Sequence, residues 1–101
     1  MAGGRPAAGA EIGVRMEKVW MYSTALCPYC VRARRLLERK GVAFEEVRVD
    51  LEPQRRTEIY QRTGRRTVPQ IFIGDRHIGD CEELYALEAQ GKLDALLKPT
   101  V

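Results

Sequence analysis

Val19-Trp20-Met21-Tyr22-Ser23-Thr24-Ala25-Leu26-Cys27-Pro28-Tyr29-Cys30 runs from a short apolar segment into a pair of cysteines. Val19–Tyr22 has the length and character of a buried strand. Pro28 stands where a helix begins, because the first helical residue needs no N–H and its φ is the one proline fixes. From there to Lys40, the residues Cys30, Ala33, Leu36 and Leu37 form an apolar stripe. Arg32, Arg34, Arg35, Glu38 and Arg39 fill the remaining, solvated face. Gly41 supplies the stop. A strand, a cysteine pair and an amphipathic helix in this order open an α/β chain.

Outward from this stretch, Phe44–Val49 alternates apolar and polar and predicts a second strand. Glu52–Arg62 reads as a polar helix anchored by Ile59 and Tyr60 and stopped near Gly64. Val68-Pro69-Gln70-Ile71-Phe72-Ile73 predicts a strand with proline near its start, where a missing N–H costs least. Gly74-Asp75 turns the chain into a short return strand, Arg76-His77-Ile78. Asp80 is the expected N-cap of a last helical region. Its leucines, Leu84, Leu87, Leu93, Leu96 and Leu97, fall into two short helices divided at Gly91. Trp20 reads as core and His77 as structural. The order β-α-β-α-β-β-α implies a small mixed sheet flanked by helices.

The chain has 101 residues, 45% apolar and 31% charged, which suits one globular domain. No apolar run approaches the roughly 18 residues of a membrane-spanning helix. A net charge of +3 suits small anions and is too weak to argue for nucleic acid. Residues 1–15, MAGGRPAAGAEIGVR, lack both periodicity and the apolar core of a secretory signal. They read as a flexible tail, with the folded domain over residues 16–101 and Met16 a possible natural start.

Three cysteines, Cys27, Cys30 and Cys81, do not make a secreted disulfide framework. The expected compartment is therefore the reducing cytoplasm, where a close pair is redox-active or metal-binding. Disulfide exchange is carried out by the thiolate. Cys27 falls at a helix start, where unpaired N–H groups and the helix dipole favour negative charge. Cys30 follows one turn later, within reach to close a disulfide. Zinc would need Cys81 and His77 to complete four ligands. Their four-residue spacing spans a strand-to-helix turn and not one helix face, which disfavours a metal site.

Three motifs together resemble the small bacterial dithiol glutaredoxins, particularly those of the third type. They are Tyr22-Ser23-Thr24 before Cys27-Pro28-Tyr29-Cys30, then Thr67-Val68-Pro69-Gln70-Ile71-Phe72-Ile73-Gly74, then His77-Ile78-Gly79-Asp80-Cys81-Glu82-Glu83-Leu84. The likeness runs from about Val19 to Leu97. It implies a thioredoxin-like fold with a four-stranded mixed sheet and a glutathione-dependent thiol–disulfide oxidoreductase. In that scheme Cys27 is the nucleophile and Cys30 the resolving thiol. The Val68-Pro69 bond is cis, and the Val68 backbone pairs with the cysteinyl part of glutathione. Thr67 and Pro69 flank that contact, and Tyr29 packs over the tripeptide. The turn Gly79-Asp80-Cys81-Glu82 takes the γ-glutamyl end, the amides of Cys81 and Glu82 meeting the carboxylate and the Glu82 side chain the ammonium. Arg65 is the expected cation for the glycyl carboxylate, with Gln54 second.

The resemblance also implies no permanently bound cofactor and no metal, glutathione being the reductant. The implied partners are disulfide-bonded or glutathionylated proteins, and glutathione reductase indirectly through glutathione. Neither nucleic acid nor membrane is expected, and the expected state is a monomer. The alternative is a glutaredoxin that binds or transfers an iron–sulfur cluster; Pro28-Tyr29 argues against it. Two positions depart from the family pattern. Thr24 replaces a common lysine, and Asp80 replaces the second of two glycines.

Overall fold

β1 (Val19–Ser23) lies at the centre of a four-stranded sheet ordered β2-β1-β3-β4. β2 (Phe44–Arg48) runs parallel to it, with Val19 opposite Phe44 and Tyr22 opposite Val47. β3 (Gln70–Ile73) runs antiparallel on the other side, with Met21 opposite Ile71. β4 (Arg76–Gly79) completes a hairpin with β3 across Gly74-Asp75. This computed structural model describes residues 17–98. The expectations for residues 1–15 and Met16 lie outside them.

Alternation along β1 sorts its side chains onto two faces. Val19 and Met21 join Ala33, Leu36, Leu37, Ile71, Ile73, Cys81, Leu84, Leu93 and Leu97 in the larger apolar cluster. Those outside the sheet come from α1 (Pro28–Arg39), α3 (Cys81–Ala89) and α4 (Leu93–Leu97), which cover that face. Tyr22 joins Val47, Val49, Ile59 and Phe72 on the opposite face, under α2 (Arg56–Thr63). The parallel β1–β2 pair requires a crossover, and α1 provides it.

The α1 stripe packs as its spacing demands: Cys30, Ala33, Leu36 and Leu37 are all buried. The polar helix over Glu52–Arg62 resolves into a 3₁₀ turn, Pro53–Arg55, followed by α2. Gly64 closes α2 in the left-handed conformation, φ 74°, which a residue without Cβ adopts freely. Ile59 alone is buried in α2; Tyr60 is half exposed, with the Arg66 guanidinium 4.5 Å over its ring. Arg62 instead helps dock the helix, stacking 3.8 Å over Phe72 and donating to Tyr22 Oη at 3.0 Å. Trp20 is half buried and not fully core: it packs against the smaller cluster, with the Lys18 ammonium 4.5 Å over its ring. β3 begins at Gln70, so Val68 and Pro69 lead into the strand rather than belong to it. No helix among the described residues is long and apolar enough to cross a membrane.

Candidate active site

Cys27 is the N-cap of α1, held in extended backbone at φ −89° and ψ 115°. Its Sγ accepts the Cys30 N–H at 3.3 Å, so a helix-start amide already points at the sulfur. Sγ also lies 3.9 Å from the Val68 carbonyl oxygen. Cys27 is partly exposed, whereas Cys30 is buried one turn further on. Burial pushes the Cys30 thiol up to about 12, against an opposing backbone hydrogen bond from Thr24. The two thiols thus differ in access, as an attacking and an internal sulfur would.

A groove of about 360 Å3 opens beside this pair, lined by Tyr29, Thr67, Val68, Pro69, Asp80, Cys81 and Glu82. The structure therefore brings these seven expected glutathione-binding residues together around one cavity. Two sequence segments form opposite walls. Thr67-Val68-Pro69 forms one wall, with the Val68-Pro69 bond cis. The other is the N-terminal turn of α3, where Asp80 caps the helix by accepting the Glu83 N–H at 3.0 Å. The Leu84 N–H bonds the Asp80 carbonyl oxygen. The amides of Cys81 and Glu82 keep no intramolecular partner among the described residues, and they sit at the groove. Cys81 itself is buried, and burial raises its thiol.

Arg65 does not line the groove. It donates from Nη1 and Nη2 to Glu83 Oε1 and Oε2 at 2.6 and 3.1 Å. Glu83 Oε1 also accepts the Asp80 N–H at 2.9 Å, completing a capping box. Gly79 makes room for this carboxylate: at φ 120°, a Cβ there would fall 1.9 Å from Glu83 Oε1. Gln54 and Arg66 also lie away from the groove lining. Behind Thr67, the buried Gln70 donates to Thr67 Oγ1 at 3.2 Å and pairs with His77 Nε2 at 2.8 Å. His77 is thus part of a polar chain that supports the groove wall.

Sequence reasoning gave Glu83 no role, although Asp80-x-x-Glu83 carries the spacing of a capping box. It also placed Arg34 on the solvated face of α1. Arg34 instead turns onto the sheet and donates from Nε to Glu46 Oε1 at 3.2 Å, with Nη2 on the other oxygen. Ser23, fully buried at the end of β1, donates its hydroxyl to the same carboxylate.

Comparison with known proteins agrees with this geometry. The glutaredoxin family model matches residues 19–78, more than half of the chain. A glutaredoxin of Pseudomonas aeruginosa is 55% identical over 82 residues, covering 81% of this chain and 98% of that protein. Glutaredoxin 3 of Escherichia coli is 53% identical over 83 residues, covering 82% of this chain and all of that one. Among solved structures, a buckwheat glutaredoxin–glutathione complex superposes with a TM-score of 0.74 at 33% identity, over 78% of this chain and 74% of that one. With a cysteine pair at a helix start, a groove beside it and relatives that span nearly their whole length here, the chain belongs to the glutaredoxin family, the glutathione-dependent thiol–disulfide oxidoreductases.

Proposed function

We propose that Cys27 attacks the disulfide and that the adjoining groove holds glutathione. The observation that carries this assignment is the position of the Cys27 sulfur. It is the exposed member of the pair, it accepts a helix-start N–H, and it stands against the Val68 wall of the groove. The Cys27 thiolate attacks a glutathione mixed disulfide, releases the protein thiol and becomes a Cys27–glutathione adduct. With a protein disulfide, Cys30 then displaces the reduced protein, leaving Cys27–Cys30 oxidised. Glutathione reduces either form.

Within the groove, the Val68 backbone pairs with the cysteinyl residue between Thr67 and Pro69, and Tyr29 covers it. The free amides of Cys81 and Glu82 suit the γ-glutamyl carboxylate, which a helix N-terminus favours. Glu82 meets the ammonium, and Asp80 fixes the turn. The pairing of Arg65 with Glu83 supports an indirect role for Arg65, through α3, in place of direct contact with the glycyl carboxylate. The reading extends to a monomer acting in the cytoplasm on disulfide-bonded and glutathionylated proteins, with glutathione reductase renewing the reductant. No resident cofactor, nucleic acid or membrane enters it.

A glutathione reductase-coupled assay on a small mixed disulfide tests it. Cys27→Ser abolishes turnover, while Cys30→Ser keeps it and loses only reduction of intramolecular disulfides. Equal loss in both variants on the mixed disulfide would overturn the assignment.

A further inference from the structure

Cys30 is fully buried and one turn from Arg34 on the same helix, where side chains four apart are neighbours. Arg34 is not free to wave in solvent. Glu46 on β2 holds its guanidinium from below with both carboxylate oxygens, and the buried Ser23 hydroxyl holds Glu46. About a quarter of each of the Arg34 and Glu46 side chains is exposed, so this is a half-buried cluster wedged between α1 and the sheet. Such a cluster is an expensive way to fasten a helix, since desolvating an ion pair offsets much of its attraction. Neither the nucleophile nor the groove uses it.

We propose that Arg34, set in place by Glu46 and Ser23, is a positioning residue for the resolving step: its charge stabilises the Cys30 thiolate that attacks Cys27. The proposal rests on the assignment of Cys30 as the resolving thiol. In that step Cys30 gives up its proton to solvent. Its sulfur lone pair attacks Cys27 Sγ of the mixed disulfide, and the Cys27–Cys30 bond forms as the bond to the substrate sulfur breaks. The substrate leaves as a thiolate and takes a proton from solvent. One disulfide replaces another, with no net oxidation.

The need is plain from the burial of Cys30, which pushes its thiol up, while the Thr24 backbone and the Arg34 charge pull it back. In the reduced pair Cys27, at the N-cap of α1, is the other titratable group acting on Cys30 and opposes its ionisation, but in the mixed disulfide its sulfur carries no charge and that opposition is gone. Burial alone would raise the Glu46 carboxyl, but its bonds to Arg34 and Ser23 hold it low, so it stays charged and tempers the field of Arg34. Of the two influences that favour the thiolate, the Thr24 backbone is the larger and Arg34 the smaller. Raising the thiol pKa lowers the thiolate fraction tenfold per unit but raises its nucleophilicity by about half that on a logarithmic scale. Each unit lost with the charge therefore slows the attack by about threefold.

The test compares single-turnover rates on two probes in each variant: a cyclic peptide disulfide, which needs Cys30, and a glutathione–mercaptoethanol mixed disulfide, which does not. The ratio of the first rate to the second falls about twofold to threefold in Arg34→Met. It is preserved in Arg34→Lys, which keeps the charge on an aliphatic stem much like that of methionine. A fall in Arg34→Met with preservation in Arg34→Lys distinguishes an electrostatic role from a packing one. An unchanged ratio in Arg34→Met, or an equal fall in Arg34→Lys, overturns the proposal. If Arg34→Met does not fold, Arg34→Gln takes its place with the same two outcomes. Cys30→Ser run alongside separates the two levels: a ratio it leaves unchanged defeats the resolving assignment itself.

Discussion

Arg65 joins the two halves of the groove without entering it. It stands two residues before Thr67 on one wall, and its forked grip on Glu83 fastens the capped turn of the other. Arg65→Ala is expected to raise the KM for a glutathione mixed disulfide about threefold to fivefold, the upper end for an exposed ion pair, with kcat nearly constant. Glu83→Gln should move KM the same way, because it loosens the same tie. Steady-state kinetics of the two variants checks this, and a KM that falls in Glu83→Gln would mean that freed Arg65 binds the ligand directly. The seven groove residues were legible in the sequence because they sit in the contiguous motifs that carry the family resemblance. The Arg65–Glu83 and Arg34–Glu46 pairs were not: each joins charged residues 18 and 12 positions apart. Linear reading puts Arg34 on the solvated face and Arg65 on the glycyl carboxylate, and only the fold sets each against its glutamate.

At the scale of the element, α3 begins with a capping box whose glutamate is also an ion-pair partner. The Arg65 guanidinium, then the Asp80 N–H, hold the Glu83 carboxyl well down, at about 2. An unfolded glutamate titrates near about 4.3. The folded value is the lower one, so the stability it contributes is present above about pH 4.3 and is lost as pH falls towards 2. Glu83→Gln keeps a capping side chain but not the charge. Its unfolding midpoint should lie below that of the parent chain at pH 7 and converge with it by about pH 2. Parallel curves across that range would remove the ion pair from the stability of α3. Helix α1 was legible because four apolar residues in one stripe leave a single way to bury it. α2 was half legible: with only Ile59 buried, its orientation rests on Arg62 against Phe72 and Tyr22, a contact no periodicity announces.

For the whole molecule, both apolar clusters and both groove walls are built from residues 19–97. A chain beginning at Met16 is accordingly expected to match the full chain in turnover and in thermal midpoint. A clear drop in either would show that residues 1–15 contribute to the fold. The layered α/β arrangement was legible because strand and helix periods alternate cleanly, while the central place of β1 is a property of pairing that local pattern does not encode. That central place has its own consequence. β1 is bonded on both sides, parallel to β2 and antiparallel to β3, so its amide protons can meet solvent only when the sheet comes apart. The loop from Thr24 to Cys27 that follows is tied to the sheet side by the Ala25 N–H on Asp50, an exposed contact. Deuterium should therefore enter that loop long before it enters β1. On that expectation the Cys27 sulfur stands at a seam between a slow clock and a faster one, with a strand behind it that keeps still.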